Sequence, residues 1–188
     1  MVDMIKDGSG SGNLARVGSS KKLDTSARVN DRIYYASRDD AKAFIVQGAR
    51  TQAAGGTAEG LLYIYYTGTD RLNIKQIALS TEEPGDGLTA LGIWKKPTVS
   101  GGTAVTPVNL NFGSNNTLDI TTKDGTSDLT VTGGSSLYTV RIKGPGTKLI
   151  EFYDAIILGT GDILAIKTNP ATTGTKTRVN IMFAESVD

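Results

Sequence analysis

The 188-residue sequence contains no cysteine and no histidine. Disulfides, thiolate metal sites and histidine metal sites are therefore excluded, and so is nucleophilic catalysis by a Ser-His-Asp or Cys-His arrangement. Acid–base chemistry by carboxylates stays available, because the chain has 19 Asp and Glu residues. We expect a protein that is not an enzyme and that holds no cofactor and no metal.

The sequence also lacks an excess of charge and a long apolar run. Its 20 Lys and Arg residues nearly balance the acidic ones, for a net charge of +1. Nucleic-acid-binding proteins and polybasic membrane anchors carry a basic excess, so we expect neither partner. The longest apolar run, "AIILG", is far shorter than the roughly 20 residues of a membrane-spanning helix. The first residues include Asp3, Lys6 and Asp7 and no apolar core of a signal peptide, so we expect synthesis in a cytoplasm.

From about residue 31 the apolar residues recur with a period of two, which is typical of β-strands. "LLYIYY" (61–66) is apolar on both faces, as in a fully buried strand, and "TGTD" followed by "RLNIKQIAL" predicts a hairpin with it. Further hairpins are predicted at Asp124-Gly125, at Gly144-Pro145-Gly146 and between Gly159 and Asp162. In the last strand Val179, Ile181 and Phe183 share one face.

Eight to ten short strands predict an all-β fold, an antiparallel β-sandwich of jelly-roll type spanning residues 31–188. The stretch at 40–54 fits either a helix face or a strand; we favour a strand, because its neighbours are β and Gly48 weakens a helix by about 1 kcal/mol. All five prolines (Pro84, Pro97, Pro107, Pro145, Pro170) are placed in loops.

Residues 1–30 differ from the rest and predict an extended N-terminal arm. They contain "GSGSGN" and lack a sustained apolar period, although Ile5, Leu14, Val17 and Leu23 offer isolated apolar anchors. The glycines at 8, 10 and 12 do not form G-x-G-x-x-G between a strand and a helix, and no Lys-Ser/Thr pair of a P-loop follows them. A flexible joint explains them better than a nucleotide site.

Two other groups of residues leave alternatives open. The acidic pairs Asp39-Asp40 and Glu82-Glu83 fit solvated loop charge better than a calcium site or a glycosidase pair, since adjacent strand residues point to opposite faces. The tyrosines at 34, 35, 63, 65 and 66 fit the sandwich core and its polar edge better than a stacking platform for sugars or bases.

Three stretches carry a resemblance to one family of proteins. They are "IKDGSGSGNLARVGSSKKLDTSARV", "IWKKPTVSGGTAVTPVNLNFGSNNT" (93–117) and "ILGTGDILAIKTNPATTGTKTRVNIMFAES". The chain resembles structural proteins of tailed bacteriophages. It departs from them at Lys96, where relatives often have Asn, and at its "FAESVD" ending. The resemblance implies a virion component with a β-sandwich body, often oligomeric, on the head, neck or tail.

The expected function is that of a capsid decoration (cement) protein. The N-terminal arm, the all-β pattern and the absence of His and Cys favour this interpretation. A trimer would sit over junctions of capsid subunits, assembled in the bacterial host cytoplasm and located in the virion. Its partners would be the major capsid protein or other virion proteins. The arm would supply the contacts, through Ile5, Lys6, Asp7, Leu14, Arg16, Val17, Lys21, Lys22 and Leu23. Alternatives are a tail, neck or fibre protein for host-surface recognition, with the loops at 82–89 and 112–117 touching a glycan or partner, and a carbohydrate-active enzyme.

Overall fold

The computed structural model describes residues 4–6, 14–16, 42–53, 55–56 and 58–186. It divides the chain into two units, Met1–Asp31 and Arg32–Asp188. The first unit contains strands β1 (Met4–Lys6) and β2 (Leu14–Arg16), which pair antiparallel with Ile5 opposite Ala15 and Lys6 opposite Leu14. In the described part of the predicted arm, the backbone therefore forms a two-stranded ribbon.

The second unit consists of strands joined by turns and loops, and its described residues include no helix. No helix long and apolar enough to cross a membrane occurs in the described part of the chain. The strands are β3 (Ala43–Thr51), β4 (Glu59–Tyr66), β5 (Arg71–Glu82), β6 (Leu88–Lys95), β7 (Thr98–Ser100), β8 (Thr103–Ala104), β9 (Val108–Asn109), β10 (Ile120–Asp124), β11 (Thr130–Thr132), β12 (Ser135–Lys143), β13 (Pro145–Leu158), β14 (Ile163–Pro170) and β15 (Lys176–Ser186).

Two antiparallel sheets hold most of these strands. Sheet I has the order β13-β5-β15-β3-β9, and sheet II has the order β12-β6-β14-β4-β10-β8. The eight long strands are β3 to β6 and β12 to β15. Along the chain they alternate between the two sheets, except that β6 and β12 lie side by side in sheet II. Four strands in each sheet with this order form a jelly roll, which confirms the predicted all-β sandwich.

The short strands β7 to β11 belong to an insertion between β6 and β12. Strands β8 and β9 extend the two sheets, while β7 and β11 pair with each other as a separate ribbon. Leu129 and Val131 of this segment pack on Tyr63 and Ala165, on the outer face of sheet II. This cover explains why β4 is apolar on both faces, as its sequence indicates.

The main core lies between the two sheets. Val179, Ile181 and Phe183 of β15 are buried on one face, as predicted from their alternation. Phe183 stacks on Phe44 of β3, with ring centroids 6.3 Å apart. The strand prediction for the ambiguous 40–54 stretch is confirmed where the structure describes it, because β3 runs through this segment and Val46 also enters the core.

The four predicted hairpins are wrong. In three of them the two strands lie in different sheets: β4 and β5, β12 and β13, and β13 and β14. In the fourth, β10 pairs with β4 and β8, whereas β11 pairs with β7. The residues of "TGTD" instead bond elsewhere, since Thr67 and Gly68 both donate their N–H groups to the carbonyl of Asp119. Gly125 is also not among the glycines with a positive φ, as a two-residue Asp-Gly hairpin turn would require. Three of these connections carry the chain across the core to the opposite sheet, whereas the segment after β10 leads to the β7–β11 ribbon on the outer face of sheet II.

Two smaller predictions are also corrected. Pro145 is the first residue of β13 and Pro170 is the last residue of β14, so these two prolines are at strand ends rather than in loops. A proline is tolerated as the first residue of a strand, and β13 is at the edge of sheet I. The second unit has thirteen described strands, β3 to β15, rather than eight to ten, because the insertion adds five short ones.

Candidate functional site

The carboxylates that could carry acid–base chemistry include one that is wholly buried. Glu83 is 0% exposed, which contradicts the expected solvated loop charge, whereas its neighbour Glu82 is half-exposed and forms an ion pair with Arg178. Oε2 of Glu83 accepts three hydrogen bonds, from Thr89 Oγ1 at 3.1 Å, Ala171 N at 3.1 Å and Thr175 Oγ1 at 3.2 Å. These bonds hold the β5–β6 loop against the β14–β15 loop, so Glu83 has a structural role.

A second buried polar group joins strands β3 and β4. Arg50 is 9% exposed and forms an ion pair with Glu59, and its Nη1 donates to the carbonyl oxygen of Gly60 at 3.2 Å. Asp124 of β10 accepts hydrogen bonds from the N–H groups of Ala49 and Thr126. These charged groups are engaged in holding strands together. In the described part of the chain, no group of three or more His, Cys, Asp or Glu is arranged to hold a metal ion.

A third polar cluster lies at the opposite end of the sandwich from Glu83. The buried Tyr66 hydroxyl donates to Oε1 of Glu185 at 2.6 Å. Lys42 Nζ lies 3.1 Å from Oε2 of Glu185 and 3.1 Å from Oδ2 of Asp70. Burial and the hydrogen bond to Glu185 both raise the pKa of Tyr66 well above its usual value. Burial lowers the pKa of Lys42, but its two carboxylate partners outweigh burial and raise it overall.

A groove opens beside this cluster. We call it the polar groove; it consists of a cavity of about 400 Å³ and an adjoining one of about 160 Å³. The larger cavity is lined by Lys42, Phe44, Glu185 and residues 115–118. The smaller cavity shares Phe44 and residues 116–118 and continues along residues 105–107. Phe44 is 2% exposed and lines both cavities. The lining of the larger cavity is mainly polar, whereas the smaller cavity is lined mostly by apolar residues.

An aromatic side chain projects from the loop that forms one wall of the polar groove. Phe112 is 95% exposed, the highest value among the large apolar side chains of the described residues. The loop closes on itself, because the N–H of Ser114 donates to the carbonyl of Asn111 at 2.9 Å and the amide of Asn109 donates to the carbonyl of Asn116 at 3.3 Å. The asparagines of "NLNFGSNN" thus give the loop a defined shape and present Phe112 to solvent.

One side of the sandwich ends in two long strands whose outer edges pair with no other strand among the described residues. We call it the open flank; it consists of β12 and β13, with the exposed side chains Leu137, Tyr138, Leu149 and Ile157. Among the eight exposed large apolar side chains of the described residues, these four are on the two flank strands. The opposite side ends in the two-residue strands β8 and β9. The two sides of the jelly roll therefore differ sharply in how much strand edge they expose.

The predicted arm residues are only partly within the described residues. Ile5 and Lys6 are in β1, and Leu14 and Arg16 are in β2. The register places Lys6 opposite Leu14 and Met4 opposite Arg16. The remaining residues of the predicted binding arm lie outside the described residues: Asp7, Val17, Lys21, Lys22 and Leu23.

The tyrosines mostly take the core positions that we favoured. Tyr66 is in the main core and Tyr63 is under the insertion, while Tyr65 is 37% exposed. Tyr34 and Tyr35 lie outside the described residues, as do Asp39 and Asp40.

The polar groove was not predicted as a site. Its charged residues, Lys42 and Glu185, are far apart in the sequence and are brought together where β3 and β15 pair. Lone charges at strand ends give no spacing that a motif search could recognise. The loop at 112–117 was anticipated as a contact surface, because its Asn, Gly and Ser content indicates an exposed loop.

No protein-family model matches this chain, and no curated protein matches it. Among solved structures, a crystal structure of the VP2 subviral particle of infectious bursal disease virus is similar at 14% sequence identity and a TM-score of 0.20. The match covers 78% of this chain and 42% of that chain, so this chain spans less than half of the neighbour's length. A similarity at this level carries no argument about function.

Proposed function

We propose that this protein is a structural component of a bacteriophage virion, a decoration protein that binds over junctions of capsid subunits and stabilises the head by non-covalent contacts. Viral capsid proteins are among the proteins built on the jelly roll, together with lectin domains and cupins. The resemblance of the sequence to structural proteins of tailed phages favours the virion among these uses. Fold alone does not assign a function, so the proposal rests on the surfaces of the molecule.

The open flank is the observation that carries the proposal. A free strand edge presents unpaired N–H and C=O groups, and soluble proteins normally shorten, charge or cover such edges. Here the two free edges have 9 and 14 residues and expose apolar side chains. A nine-residue strand is roughly 30 Å long and the two sheets lie about 10 Å apart. Because side chains on the outer face of each sheet reach about half of that spacing further, the flank is roughly 20 Å wide. Covering it would bury roughly 600 Å² on each partner, the lower end for a stable interface.

A second copy of this chain is the proposed occupant of the open flank. Two of the charges on or next to the flank are paired within one chain, since Lys96 pairs with Asp162 and Lys143 pairs with Asp86, each at 3.2 Å. The flank strands also expose Arg141 and Lys148, so the contacting surface of the next copy should be acidic. In a closed ring of three copies, the open flank of each chain contacts a different surface of the next chain. Such a ring matches the three-fold symmetry of a capsid junction, so we propose a homotrimer.

The arm of residues 1–30 is the proposed contact with the major capsid protein. Ordering a flexible segment costs about 1–2 kcal/mol per residue in backbone entropy, so the bound arm must gain many contacts. An oligomer offers several arms at once, which raises the effective concentration of each arm after the first has bound. Deleting residues 1–29 should abolish binding to capsids and leave the sandwich folded, as judged by circular dichroism. Undiminished occupancy would refute this role of the arm.

We also propose that the protein has no catalytic activity. The carboxylates of buried Asp124 and half-buried Glu59, and Oε2 of buried Glu83, are engaged in bonds that hold strands and loops together. Hydrolysis of any member of a panel of bacterial polysaccharides would contradict this proposal.

The decisive experiment is the number of copies per virion, measured by quantitative gel electrophoresis of purified particles. A decoration protein should be present in hundreds of copies. A few copies to a few dozen would favour the alternative, a tail, neck or fibre protein.

The role of the open flank is tested separately by light scattering of the purified chain. Ile157→Lys places a charge on the flank and should shift the protein from a trimer to a monomer. Phe112→Lys is the control, because it makes the same charge change at a more exposed apolar side chain away from the flank, and it should leave the trimer intact. A wild-type monomer at all concentrations would refute the proposed self-association.

A further inference from the structure

The polar groove has the size and composition of a site for a small polar ligand. Small-molecule sites have volumes of about 300–1,000 Å³. The larger cavity, of about 400 Å³, holds one or two sugar rings, and the adjoining cavity of about 160 Å³ extends it past Phe44, which lines both. Most small-molecule pockets are mainly apolar, whereas here Lys42, Glu185 and exposed Asn115 and Thr117 form the walls. The ligand that fits is therefore rich in polar groups.

The charged cluster at the groove has unused hydrogen-bonding capacity of both kinds. Each oxygen of Glu185 has two lone pairs, and the bonds from Tyr66 and Lys42 occupy one on each oxygen. The Lys42 ammonium has three protons, and Glu185 and Asp70 take two of them. Acceptors and a donor are thus available side by side. A hydroxyl group, which donates and accepts at once, is the group best matched to such a wall.

The charges at the groove decide between classes of sugar. The two charged residues that line the groove, Lys42 and Glu185, have opposite charges, and Asp70 pairs with Lys42 from outside the lining. The groove therefore offers no unpaired positive charge to attract a carboxylate or phosphate. A neutral ligand needs no such attraction.

Phe112 adds an exposed apolar surface on the loop whose later residues line the groove. An aromatic ring has a partly negative face, which attracts the partly positive C–H groups on one side of a sugar ring. Phe112 is 95% exposed on a loop closed by its own hydrogen bonds, and three residues further on this loop supplies Asn115 to the groove wall. A polar wall beside an exposed aromatic ring matches the two kinds of surface on a pyranose.

We infer that the polar groove binds a neutral glycan, with hydroxyl groups at Lys42, Glu185 and Asn115 and a pyranose face on Phe112. This inference goes beyond the proposed function and does not depend on it, because a head protein and a tail protein can both carry such a groove. Whether the groove binds a glycan is also independent of the number of copies of the protein in the virion.

The test is a nuclear magnetic resonance titration of the full chain, in which backbone amide shifts are followed. The probes are glucose, galactose, mannose, N-acetylglucosamine, N-acetylgalactosamine and rhamnose, with glucuronate and N-acetylneuraminate as anionic counterparts. We expect saturable shifts for at least one neutral sugar, confined to residues 42–44, 105–118 and 185, and at least tenfold weaker binding of the anionic sugars.

Variants show whether the groove itself is responsible. Phe112→Ser and Asn115→Ala change exposed side chains, so both should fold, and each should weaken binding at least tenfold. Leu149→Ser, on the open flank, is the matched control and should bind as the wild type does. The inference is overturned if no neutral sugar gives saturable shifts, if the shifts lie outside the groove, if an anionic sugar binds as well, or if the two groove variants bind unchanged.

Discussion

Replacing Tyr66 by Phe removes one hydroxyl group from the centre of the polar cluster and changes little else. Tyr66 is 0% exposed, and its hydroxyl makes a 2.6 Å hydrogen bond to the carboxylate of Glu185. Phenylalanine fills nearly the same volume, so the ring keeps its contacts in the core. The change therefore isolates a single charge-assisted hydrogen bond.

The expected loss of stability follows from that bond. A hydrogen bond to a charged group contributes about 1.5–3 kcal/mol to the free energy of unfolding. For a protein of this size each kcal/mol shifts the melting temperature by about 2–4 °C, so the variant should melt about 3–12 °C lower. The ion pair between Lys42 and Glu185 remains in the variant, so the loss in the free energy of unfolding should not exceed this range.

The pH dependence of the difference gives a second, independent readout. Burial and the bond to Glu185 raise the pKa of Tyr66 in the folded protein. Its contribution is therefore fully present below the unfolded pKa of about 10, and it is lost as the pH rises from there toward the folded pKa. The Phe variant lacks this titrating group. The stability gap between wild type and variant should consequently narrow above about pH 10.

Thermal and urea unfolding, followed by far-ultraviolet circular dichroism at neutral and alkaline pH, measure both effects. Tyr138→Phe is the matched control, because Tyr138 is 40% exposed, and its melting temperature should stay close to that of the wild type. The reasoning is refuted if Tyr66→Phe is as stable as the control at neutral pH. A gap that stays constant through the alkaline range would refute the titration argument.

Two further changes test the packing of the sandwich. Gly125→Ala would place a methyl group 2.4 Å from the carbonyl oxygen of Gly60, so it should lower the free energy of unfolding by about 1–3 kcal/mol in urea titrations. Gly113→Ala should have almost no effect, because its methyl group would lie 3.5 Å from Asn111 Oδ1, an ordinary contact distance. Arg50→Ala leaves Glu59 buried without its partner and should cost about 3–5 kcal/mol, and an Arg50 variant as stable as the wild type would show that the pair contributes nothing.

The alternation of residues along each strand was sufficient to predict the class of fold. In β15, every second side chain from Val179 to Phe183 is buried, and in β3 the choice of strand over helix is confirmed. These predictions succeed because alternation follows from the backbone of a single strand, whose successive side chains point to opposite faces. No contact with the rest of the chain is needed to fix it.

The pairing of strands was beyond what the sequence could predict. The "TGTD" segment between β4 and β5 and the Asp124-Gly125 segment after β10 have the composition of hairpin turns, yet neither joins strands that pair. An apolar face is buried equally well against a neighbour in the same sheet or against the opposite sheet. The choice depends on the packing of all eight long strands together, which no local segment specifies.

The candidate sites, like the fold, could be predicted from the sequence only where they depend on a short segment. Gly, Asn and Ser between residues 109 and 116 already indicate an exposed loop, and the structure adds that this loop holds Phe112 in solvent. The sequence does not reveal that Glu83 is buried while Glu82 is not, because the two residues have the same chemistry and differ only in the loops that cover them.

By itself, the sequence determined that this chain forms β-strands, which side chains of the last strand face inward, and that histidine and cysteine chemistry is excluded. Only the tertiary structure decided which strands pair, that β12 and β13 keep free edges, and that Lys42 meets Glu185 beside a groove. The physical reason is the separation along the chain of the residues involved. Alternation and composition can be read from a few consecutive residues, whereas strand pairing, free edges and grooves arise from contacts between strands that are distant in the sequence.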